Sequence, residues 1–566
     1  MATFTVTTLS DAAGASGLTL RGALTAANGT AAADSIVFAA GLSGSVVLEQ
    51  GALTVTRNVT IDGGSGGITI DANGASRVLN VASPSADLTL ENLTITHGAA
   101  GSGPGGGGIL AVGPTSVLVL RNTNVVDNTA AGSGGGILAN TVELHDSVVA
   151  DNVANGAAGG GISARTVSLY QSTVYENTVT GANASIAGGG GGIFAGVGAT
   201  VVASTIFSNE ATKFLSSGGG IYANAVTVTN STLADNSADY GGGAIARVDG
   251  ATGSISILNA TLTGNYAGTR GGAVLGSATI ANSILVGNAA GVEDADISGS
   301  LSSNGHNLFG SDIGFDPAGD LTHVDPAAVF AATATIPGTS VLGGVLADNG
   351  GPTMTVALLD AASNPAIGRA ELNQLTTDQR GDPRPSPDGH SDIGAFEVEP
   401  AHIIARGTPN VKLLQGSGDT EALLGLEHAE VLHGGRGHDL LDGNGGADRL
   451  RGGHGGDVLV GGGGADQFIF HKASHSAPKL PDIILDFSQA EGDRIVLRGL
   501  DGDPDRPGDQ RLEFIGRRGF TEAGQVREAL IDGHTEVRVN LDDDPRADMV
   551  IVLHDAIDLT KADFIL

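Results

Sequence analysis

Hydrophobic and polar residues alternate in short stretches throughout residues 105–290. The stretch TVELHDSVVADN, residues 141–152, is one example. A period of two predicts β-strands, because successive side chains of a strand point to opposite faces. No stretch of this region keeps the period of an amphipathic helix. The pattern therefore predicts an all-β fold.

One unit recurs along this region. Each copy starts at a glycine-rich corner of the type GGGI, continues as alternating strand residues and closes on an asparagine. The corners end at Ile109, Ile137, Ile162, Ile193, Ile221, Ile245 and Val274, and the closing asparagines are Asn128, Asn152, Asn177, Asn209, Asn236, Asn265 and Asn288. A unit of two or three short strands cannot bury its apolar face alone, so successive copies must stack. We therefore predict a right-handed parallel β-helix with the asparagines in an internal ladder.

Acidic residues precede three consecutive ladder asparagines, at Asp127, Asp151 and Glu176. If each asparagine points inward, its neighbour points outward, and the three carboxylates stack at about the strand spacing, where like charges repel. Two interpretations follow. Either a divalent cation relieves the repulsion, or the acids splay apart on a solvated turn, where Asp and Asn are common.

Composition limits the partners of the chain. The 566 residues include 91 Gly, no Cys and no Trp, and the formal net charge is -33. Binding nucleic acid needs clustered Lys and Arg, so this charge argues against it and favours cations. Without cysteine, bound metal is the available way to stabilise an extracellular chain. The N-terminus has no secretory signal pattern, and no apolar run reaches membrane-spanning length.

Charge density divides the chain near residue 402. Residues 1–400 hold 11 of the 28 Lys and Arg, and EPAHIIARGTPN, residues 399–410, has the Pro and Gly of a linker. We predict a β-helix over residues 1–402, with a capping segment in about 1–50 and an end region in about 300–402. A β-roll is predicted over 403–470 and a C-terminal domain over 471–566.

Several motifs of the first 399 residues occur together in one family. They include FTVTTLSD near the N-terminus, NLFG at 307–310 and LADNGGPTMTVALL at 346–359. The chain resembles the bacterial surface β-helix family with a CSLREA-type motif and polymorphic-membrane-protein-like repeats. The motif itself reads LTLRGA at residues 18–23, without its Cys and Glu. The resemblance implies a surface or extracellular location, and LTLRGALTAAN, residues 18–28, is predicted to be a helix that covers the first rung.

An enzyme on the β-helix is the first alternative, since many polysaccharide lyases and epimerases use this fold. Residues 1–400 contain a single lysine, Lys213, and the chain has no tryptophan for stacking on sugars. The stretch GFDPAGD, residues 314–320, resembles a motif of secreted mannuronan C5-epimerases, but Ala318 stands where that motif has His. We assign no catalytic residue, and catalysis stays the less favoured interpretation.

Residues 434–469 repeat with a period of nine. Four units of the form G-G-x-G-x-D-x-U-x, where U is a large apolar residue, begin at Gly434, Gly443, Gly452 and Gly461. This is the RTX repeat, which predicts a calcium-binding parallel β-roll: glycine turns present backbone carbonyls and the aspartate supplies charge to a hard cation. The predicted metal-site residues are Gly434, Gly435, Gly437, Asp439, Gly443, Gly445, Asp448, Gly452, Gly453, Gly455, Asp457, Gly461, Gly462, Gly464 and Asp466.

The sequence after the repeats resembles the C-terminal domain of serralysin-type secreted proteins. The similar stretches are GADQFIF at 464–470, DIILDFSQAEGDRIVLRGL at 482–500 and the terminal ADFIL. The resemblance implies a C-terminal β cap and export from a Gram-negative cell by a type I exporter that reads an uncleaved C-terminal signal. The resemblance does not imply the zinc protease domain of serralysins, because no H-E-x-x-H motif occurs.

These features predict a secreted, calcium-binding protein of the cell surface or extracellular matrix, with the β-helix as a structural or adhesive rod. A polysaccharide-modifying enzyme, a lyase or C5-epimerase-like protein, is one alternative, and a self-assembling surface-layer protein is another. The predicted partners are calcium ions and a type I exporter, with a surface polysaccharide or further copies of the chain as candidates. Nucleic acid and a membrane span are not predicted.

Overall fold

The computed structural model is almost entirely β-structure and forms two compact units. The β-helix unit comprises Met1–Ile367, Gln379–Gly381 and Ile393–Phe396, and the C-terminal unit comprises Gly368–Asp378, Asp382–Asp392 and Glu397–Leu566. The structure describes residues 2–566 except positions 157, 182–187, 213–214, 249, 293–294, 312, 314–318, 360, 362–363, 371–374, 376, 383, 385–390, 399–402, 407–412, 417–421, 427, 437–438, 505, 507, 509, 532–533 and 543. Most of the predicted linker therefore lies outside the described residues, as does most of the GFDPAGD stretch.

Three parallel sheets, named A, B and C, build the β-helix unit. Sheet A contains Thr3–Val6, Asp34–Phe38, Leu53–Val55, Val59–Asp62, Leu79–Val81, Leu88–Glu91, Ile109–Ala111, Val117–Arg121, Ile137–Ala139, Thr141–His145, Ile162–Tyr170, Ile193–Val202, Ile221–Thr229, Ile245–Arg247, Ile255–Leu258, Val274–Leu275, Ala278–Ala281, Ile297–Ser298 and Leu301–Ser303. Sheet B contains Gly44–Val47, Ile68–Asp71, Leu93–Thr96, Asn124–Val126, Val148–Ala150, Thr173–Tyr175, Thr205–Phe207, Thr232–Ala234, Thr261–Thr263, Ile284–Leu285 and Leu308–Phe309. Sheet C contains Ala99–Ala100, Thr129–Ala130, Val153–Ala154, Thr178–Val179, Glu210–Ala211, Ser237–Ala238, Tyr266–Ala267 and Ala289–Ala290.

Equivalent residues of successive copies pair in register. Ile109 pairs with Ile137, Ile137 with Ile162, and Ile162 with Ile193, each fully buried in one continuous apolar core. The prediction of a parallel β-helix is thereby confirmed. Some copies contain four strands rather than the predicted two or three, because the residues that follow the glycine corner also pair in sheet A.

The glycine corners combine a positive backbone φ with a close approach to the asparagine ladder. Gly134 has a φ of +69°, a backbone angle that residues with a Cβ rarely adopt. A Cβ on Gly136 would lie 2.9 Å from Cγ of Asn152, so the corner lies directly against the asparagine column. Glycine is thus required both for the turn and for the close approach of the ladder.

The seven predicted asparagines form an internal ladder, and none is more than 3% exposed. The Nδ2 of each donates to the Oδ1 of the next at 2.9 to 3.0 Å, from Asn128 through Asn152, Asn177, Asn209, Asn236 and Asn265 to Asn288. The same Oδ1 also accepts the backbone N–H of the preceding asparagine. The ladder therefore satisfies buried polar groups without a metal.

A second buried ladder was not predicted. The hydroxyl oxygens of Ser147, Ser172, Ser204 and Ser231 each accept the backbone N–H of the equivalent residue one rung earlier, at 3.0 to 3.1 Å. In the sequence each of these serines lies five residues before a ladder asparagine, as Ser147 does before Asn152. The recurring interval that located the asparagines would therefore have located this ladder as well.

Short helices and two hairpins complete the β-helix unit. A helix was predicted over residues 18–28, and the structure has an α-helix at Leu20–Asn28 that buries Leu20 and Leu24 in the core. Gly64–Gly66 is a 3-10 turn and Pro326–Val329 a short helix. The antiparallel hairpins pair Thr333–Thr335 with Leu342–Gly344 and Leu346–Ala347 with Thr355–Val356.

The asparagine ladder ends at Asp296, which is 1% exposed. Asn288 Nδ2 donates to its Oδ1 at 3.1 Å, and the N–H and hydroxyl of Ser311 donate to its Oδ2 at 2.8 Å. Burial raises the pKa of Asp296 to about 6 from 3.8, although these hydrogen bonds act in the opposite direction. A raised pKa favours the folded state below the unfolded pKa, and that contribution is lost as the pH rises through about 6.

We expect Asp296→Asn to remove this pH dependence. The wild-type β-helix should lose up to about 3 kcal/mol of unfolding free energy between pH 4 and pH 7 through this one group, whereas the amide variant should not. Thermal unfolding of both proteins across that range measures the difference. The exposed Asp348→Asn variant is the control. Parallel pH profiles for wild type and Asp296→Asn would contradict the prediction.

Two sheets, named D and E, build the C-terminal unit. Sheet D contains Ile403–Arg406, Ala422–Leu424, Leu440–Asp442, Val458–Val460, Asp482–Ile484, Met549–Leu553, His534–Asn540, Gln525–Ile531 and Glu513–Phe514. Sheet E contains Leu413–Gln415, Val431–Arg436, Arg449–His454, Gln467–Ile469, Arg494–Val496 and Phe564–Ile565, and the 3-10 turns are Ala473–His475 and Lys561–Asp563. Pairing is parallel except among Gln525–Ile531, His534–Asn540 and Met549–Leu553. The predicted parallel β-roll with a C-terminal β cap is confirmed.

Candidate metal centre

Each nine-residue unit forms half a coil of the roll. Strands of successive units alternate between sheets D and E, so residues eighteen apart pair in register: Leu432 with Leu450, and Leu441 with Leu459. These leucines and Phe468 are fully buried between the sheets. The apolar position of every unit therefore points inward, and the glycine turns and aspartates lie at the two edges where the chain passes between the sheets.

The predicted glycines follow this division. Gly434, Gly435, Gly452 and Gly453 lie within the second half of strands of sheet E, whereas Gly443, Gly445, Gly455, Gly461, Gly462 and Gly464 lie between strands. Gly437 is outside the described residues.

The four predicted aspartates, Asp439, Asp448, Asp457 and Asp466, are fully buried. Oδ1 of Asp457 accepts the backbone N–H of Asp439 at 2.9 Å, and Oδ1 of Asp466 accepts that of Asp448 at 2.8 Å. One carboxylate oxygen thus joins each coil to the one before it. Asp439 and Asp457 belong to one edge of the roll, and Asp448 and Asp466 to the other.

The second carboxylate oxygen points at the glycine turn. Oδ2 of Asp448 and Oδ2 of Asp466 are buried and accept no hydrogen bond. A Cβ on Gly443 would lie 2.7 Å from Oδ2 of Asp448 and 2.7 Å from the carbonyl oxygen of Gly461, and a Cβ on Gly461 would lie 2.6 Å from Oδ2 of Asp466. An anionic oxygen and backbone carbonyls therefore surround space that no side chain fills. This donor set is the all-oxygen kind that suits calcium.

The electrostatics of these carboxylates also favour a cation. Burial raises the pKa of Asp448 to about 6, and the charges of Glu430 and Asp442 add to the effect. Burial raises the pKa of Asp466 to about 7, with contributions from Asp493 and other acids. Without a cation, the ionised forms disfavour the folded roll, and increasingly so as the pH rises through 6 to 7. A bound cation would replace the protons and remove that cost.

The aspartate ladders extend beyond the four repeats, to residues that the nine-residue pattern did not include. Oδ1 of Asp482 accepts the N–H of Asp457 at 3.0 Å, and Oδ1 of Asp493 accepts that of Asp466 at 2.9 Å. Upstream, Glu430 donates its N–H to Asp448 Oδ1 at 2.7 Å. All three lie two residues before a buried apolar residue, as the repeat aspartates do. The acid-x-apolar part of the repeat, searched for without the glycines, would have found them.

No three His, Asp or Glu side chains form a metal-binding group within the part of the chain that the structure describes. A cation in the roll would therefore be held by one or two carboxylates together with backbone carbonyls. On the β-helix, Glu176 hydrogen-bonds Asp151, and burial, this bond and the charges of Glu176 and Asp127 raise the pKa of Asp151 to about 6. These three acids do come close together, because the strands that precede them pair in register.

Residues 430–566 match the family described as Peptidase M10 serralysin C terminal. This serralysin C-terminal region contains both aspartate ladders and all of sheet D and sheet E from Val431 onwards. Membership of the first 399 residues in the surface β-helix family stays a prediction. The parallel sheets A to C agree with it.

Two solved structures are similar to part of the chain. The AlgE6R3 subunit of the Azotobacter vinelandii mannuronan C5-epimerase is 29% identical, covering 29% of this chain and 86% of that one, with a TM-score of 0.22. The AlgE6R2 subunit of the same epimerase is 27% identical, covering 28% and 93%, with a TM-score of 0.21. No curated protein matches the chain. Among the described residues, none of the helices has the length and apolar character needed to cross a bilayer.

Proposed function

We propose that this chain is an exported calcium-binding protein of the cell surface or extracellular matrix, whose C-terminal unit folds on calcium. The observation that carries the proposal is the pair of buried oxygens, Oδ2 of Asp448 and Oδ2 of Asp466, which point into glycine turns without a hydrogen-bond donor. A buried anion without a partner is costly, and a hard cation offsets that cost. The predicted metal-site glycines and aspartates supply the remaining oxygens.

Export by a type I system is consistent with the serralysin C-terminal region. In the folded unit, Phe564–Ile565 pairs with Arg494–Val496 and is the last strand of sheet E. A signal in this segment is therefore free for an exporter only before the roll folds. Low cytosolic calcium would keep the roll unfolded, and extracellular calcium would fold it after passage.

The β-helix unit serves in this proposal as a rod for structural or adhesive use. Its core is continuous and its internal polar groups are satisfied by the asparagine and serine ladders. Each rung of such a stack contacts only its neighbours. A middle rung therefore has two interfaces to lose on unfolding, whereas an end rung has one. The rod would hold its shape whether or not calcium is present.

We expect Asp448→Asn combined with Asp466→Asn to weaken calcium binding by the full-length protein. Asparagine keeps the Oδ1 that joins the coils but replaces the anionic Oδ2, so the calcium midpoint of roll folding should rise by at least about tenfold. In EDTA the variant should retain more strand signal than wild type, because the buried charges are gone. Circular dichroism during calcium titration measures both effects.

The matched control is Asp555→Asn with Asp558→Asn, two exposed carboxylates of the same unit. This pair changes the net charge equally and should leave the calcium midpoint within about twofold, since exposed charges interact weakly. Equal shifts for both double variants would mean that calcium acts only through net charge. An unchanged titration of the Asp448 and Asp466 variant would refute the site.

A further inference from the structure

A groove lies on the outward face of sheet B, within the β-helix unit. Its floor is formed by Val148 and Thr173, which pair in register, alternate with buried core residues and therefore point outward. The rings of Tyr175 and Phe207 and the chain at residues 351–354 form its walls. Its volume of about 510 Å³ lies in the range of ligand sites.

One wall shows how an extended segment is held on this sheet. Thr205 pairs with Thr173 on the next rung, and its hydroxyl donates to the carbonyl oxygen of Met354 at 2.5 Å. Nε2 of the buried Gln379 donates to the hydroxyl oxygens of Thr205, at 2.8 Å, and Thr353, at 2.9 Å. Because these hydrogen bonds fix the wall on the sheet, the groove is preformed. An outward threonine of sheet B thus binds the backbone of an overlying chain.

The equivalent threonine one rung earlier, Thr173, is open to the groove. It is half-buried, and none of the residues that the structure describes hydrogen-bonds its hydroxyl. An extended segment in the groove would meet this hydroxyl as Met354 meets that of Thr205. Val148 beside it offers an apolar surface for the stem of a long side chain. The floor therefore fits a peptide, with a hydrogen bond for its backbone and an apolar strip for a side chain.

The charges around the groove are negative. Asp348 lines the groove and is exposed, and no Lys or Arg is among its described lining residues. Burial raises the pKa of Tyr175, and the charges of Asp151, Glu176 and Asp127 raise it further, so these three acids lie near the ring. A cation beside them would lower their mutual repulsion. Charge therefore favours a basic side chain in the groove.

The aromatic wall favours arginine among the basic residues. The rings of Tyr175 and Phe207 are 4.8 Å apart and inclined by only 7°, so each holds the other in place. A guanidinium stacks on such rings and pairs with a carboxylate through two hydrogen bonds, whereas a lysine ammonium acts as a point charge. The same unit already contains an arginine on a ring: Arg380 packs against Gly351 of the wall, with its guanidinium 3.8 Å from the centre of the Phe396 ring.

We propose that this groove binds an extended, arginine-containing peptide segment of a partner protein. The hydroxyl of Thr173 donates to a carbonyl oxygen of the segment, the arginine stem packs on Val148, and the guanidinium lies between the Tyr175 ring and the nearby carboxylates. The proposal deepens the adhesive use of the rod and rests on that part of the proposed function. It does not rest on calcium binding by the roll, since every residue of the groove belongs to the β-helix unit.

Three other occupants fit less well. A divalent cation alone would use the carboxylates and leave the rings and the threonine hydroxyl without a role. An acidic polysaccharide would be repelled by the same carboxylates. A second copy of the chain would bring its own net charge of -33 towards them. All three are outcomes of the test below.

The test uses the full-length protein in calcium buffer and a short dye-labelled peptide with two arginines separated by one valine. Fluorescence anisotropy should show binding that weakens as salt is raised. The same peptide with citrulline, the neutral isostere of arginine, should bind at least about tenfold more weakly, and the lysine peptide should fall between the two.

Two double variants separate the groove from net charge. Asp151→Asn with Glu176→Gln should weaken binding of the arginine peptide at least about tenfold. Glu91→Gln with Glu143→Gln, which removes the same charge from the outward face of sheet A, should change it less than about twofold. Equal weakening by both would mean non-specific attraction and would overturn the proposal.

Thr173→Val gives a second variant if the acidic double variant folds poorly. Valine keeps the shape and removes the hydroxyl, so binding should weaken about fivefold. Thr200→Val, on the outward face of sheet A, is its matched control and should bind as wild type does.

Several results would overturn the proposal. They are equal binding of the citrulline peptide, an unchanged affinity of Thr173→Val, tighter binding of a galacturonate oligomer, and binding that appears only when calcium is chelated, which would assign the carboxylates to a metal. Self-association that Asp151→Asn with Glu176→Gln abolishes would identify a second copy as the occupant instead. Failure of these tests with an intact calcium titration would remove the partner and leave calcium-dependent folding of the C-terminal unit standing.

Discussion

Removing calcium from the full-length protein should unfold the C-terminal unit and leave the β-helix unit folded. In EDTA the strand signal in circular dichroism should fall, and one of two thermal transitions should disappear and return on adding calcium. Asp448, Asp466 and Asp482 each keep one buried oxygen without a hydrogen-bond donor when no cation is present, and burial raises the pKa of all three. The roll therefore depends on a bound cation to neutralise the buried carboxylates at its edges.

Several sites must act together for this effect. Extracellular calcium modules have Kd values of about 10⁻⁴ to 10⁻³ M, so calcium at ten times Kd adds only about 1.4 kcal/mol for each site. Calcium sites can lie along both edges of the roll. One aspartate ladder consists of Asp439, Asp457 and Asp482, and the other of Asp448, Asp466 and Asp493. We expect a steep calcium dependence as a result, because folding of one coil forms the neighbouring site.

The β-helix transition is the internal control in the same experiment. Its ladders are satisfied by amides and hydroxyls, so calcium should move its midpoint by no more than a few degrees. A single cooperative loss of all structure on chelation would contradict the prediction. It would mean that the β-helix holds an essential cation, and Asp127, Asp151 and Glu176 would be the first residues to substitute.

Replacing a central ladder asparagine should destabilise the β-helix unit severely. Oδ1 of Asn177 accepts from the N–H and Nδ2 of Asn152, and its own Nδ2 donates to the carbonyl oxygens of Val149 and Tyr175 and to Asn209 Oδ1. Asn177→Ala leaves these buried groups without partners, at about 1 to 3 kcal/mol for each. We expect a loss of about 4 kcal/mol in the free energy of unfolding, measured by denaturant titration of the β-helix transition.

Asn155→Ala is the matched substitution on the outside of the same region. Asn155 is exposed and accepts one hydrogen bond, from the hydroxyl of Thr180 at 2.7 Å. Its loss should cost less than about 1 kcal/mol, because water replaces the partner. Similar costs for the two variants would show that the ladder stabilises the fold no more than a surface hydrogen bond does.

Local periodicity accounts for what could be predicted about the fold. Alternation with a period of two identified the strands, and the recurring GGGI corners and closing asparagines showed that copies stack. The ladder followed because stacking places Asn152 above Asn128 and below Asn177. The strict interval from Asp439 to Asp466 likewise located the roll and the inward position of Leu441. These features depend on residue type and spacing along one chain, and both are visible in the sequence.

The tertiary structure alone decided which distant groups share an environment. Asp482 and Asp493 carry the acid-x-apolar pattern of the repeat, but insertions break the nine-residue interval before them, and only the pairing of strands shows that they join the aspartate ladders. Arg449 and Arg494 are 45 positions apart in sequence, and only strand pairing through Gln467 places them on one sheet in register. The type and spacing of residues along the chain determine the strands and the columns they form. The burial of a side chain and the charges and hydrogen-bond partners around it depend on how the strands pack.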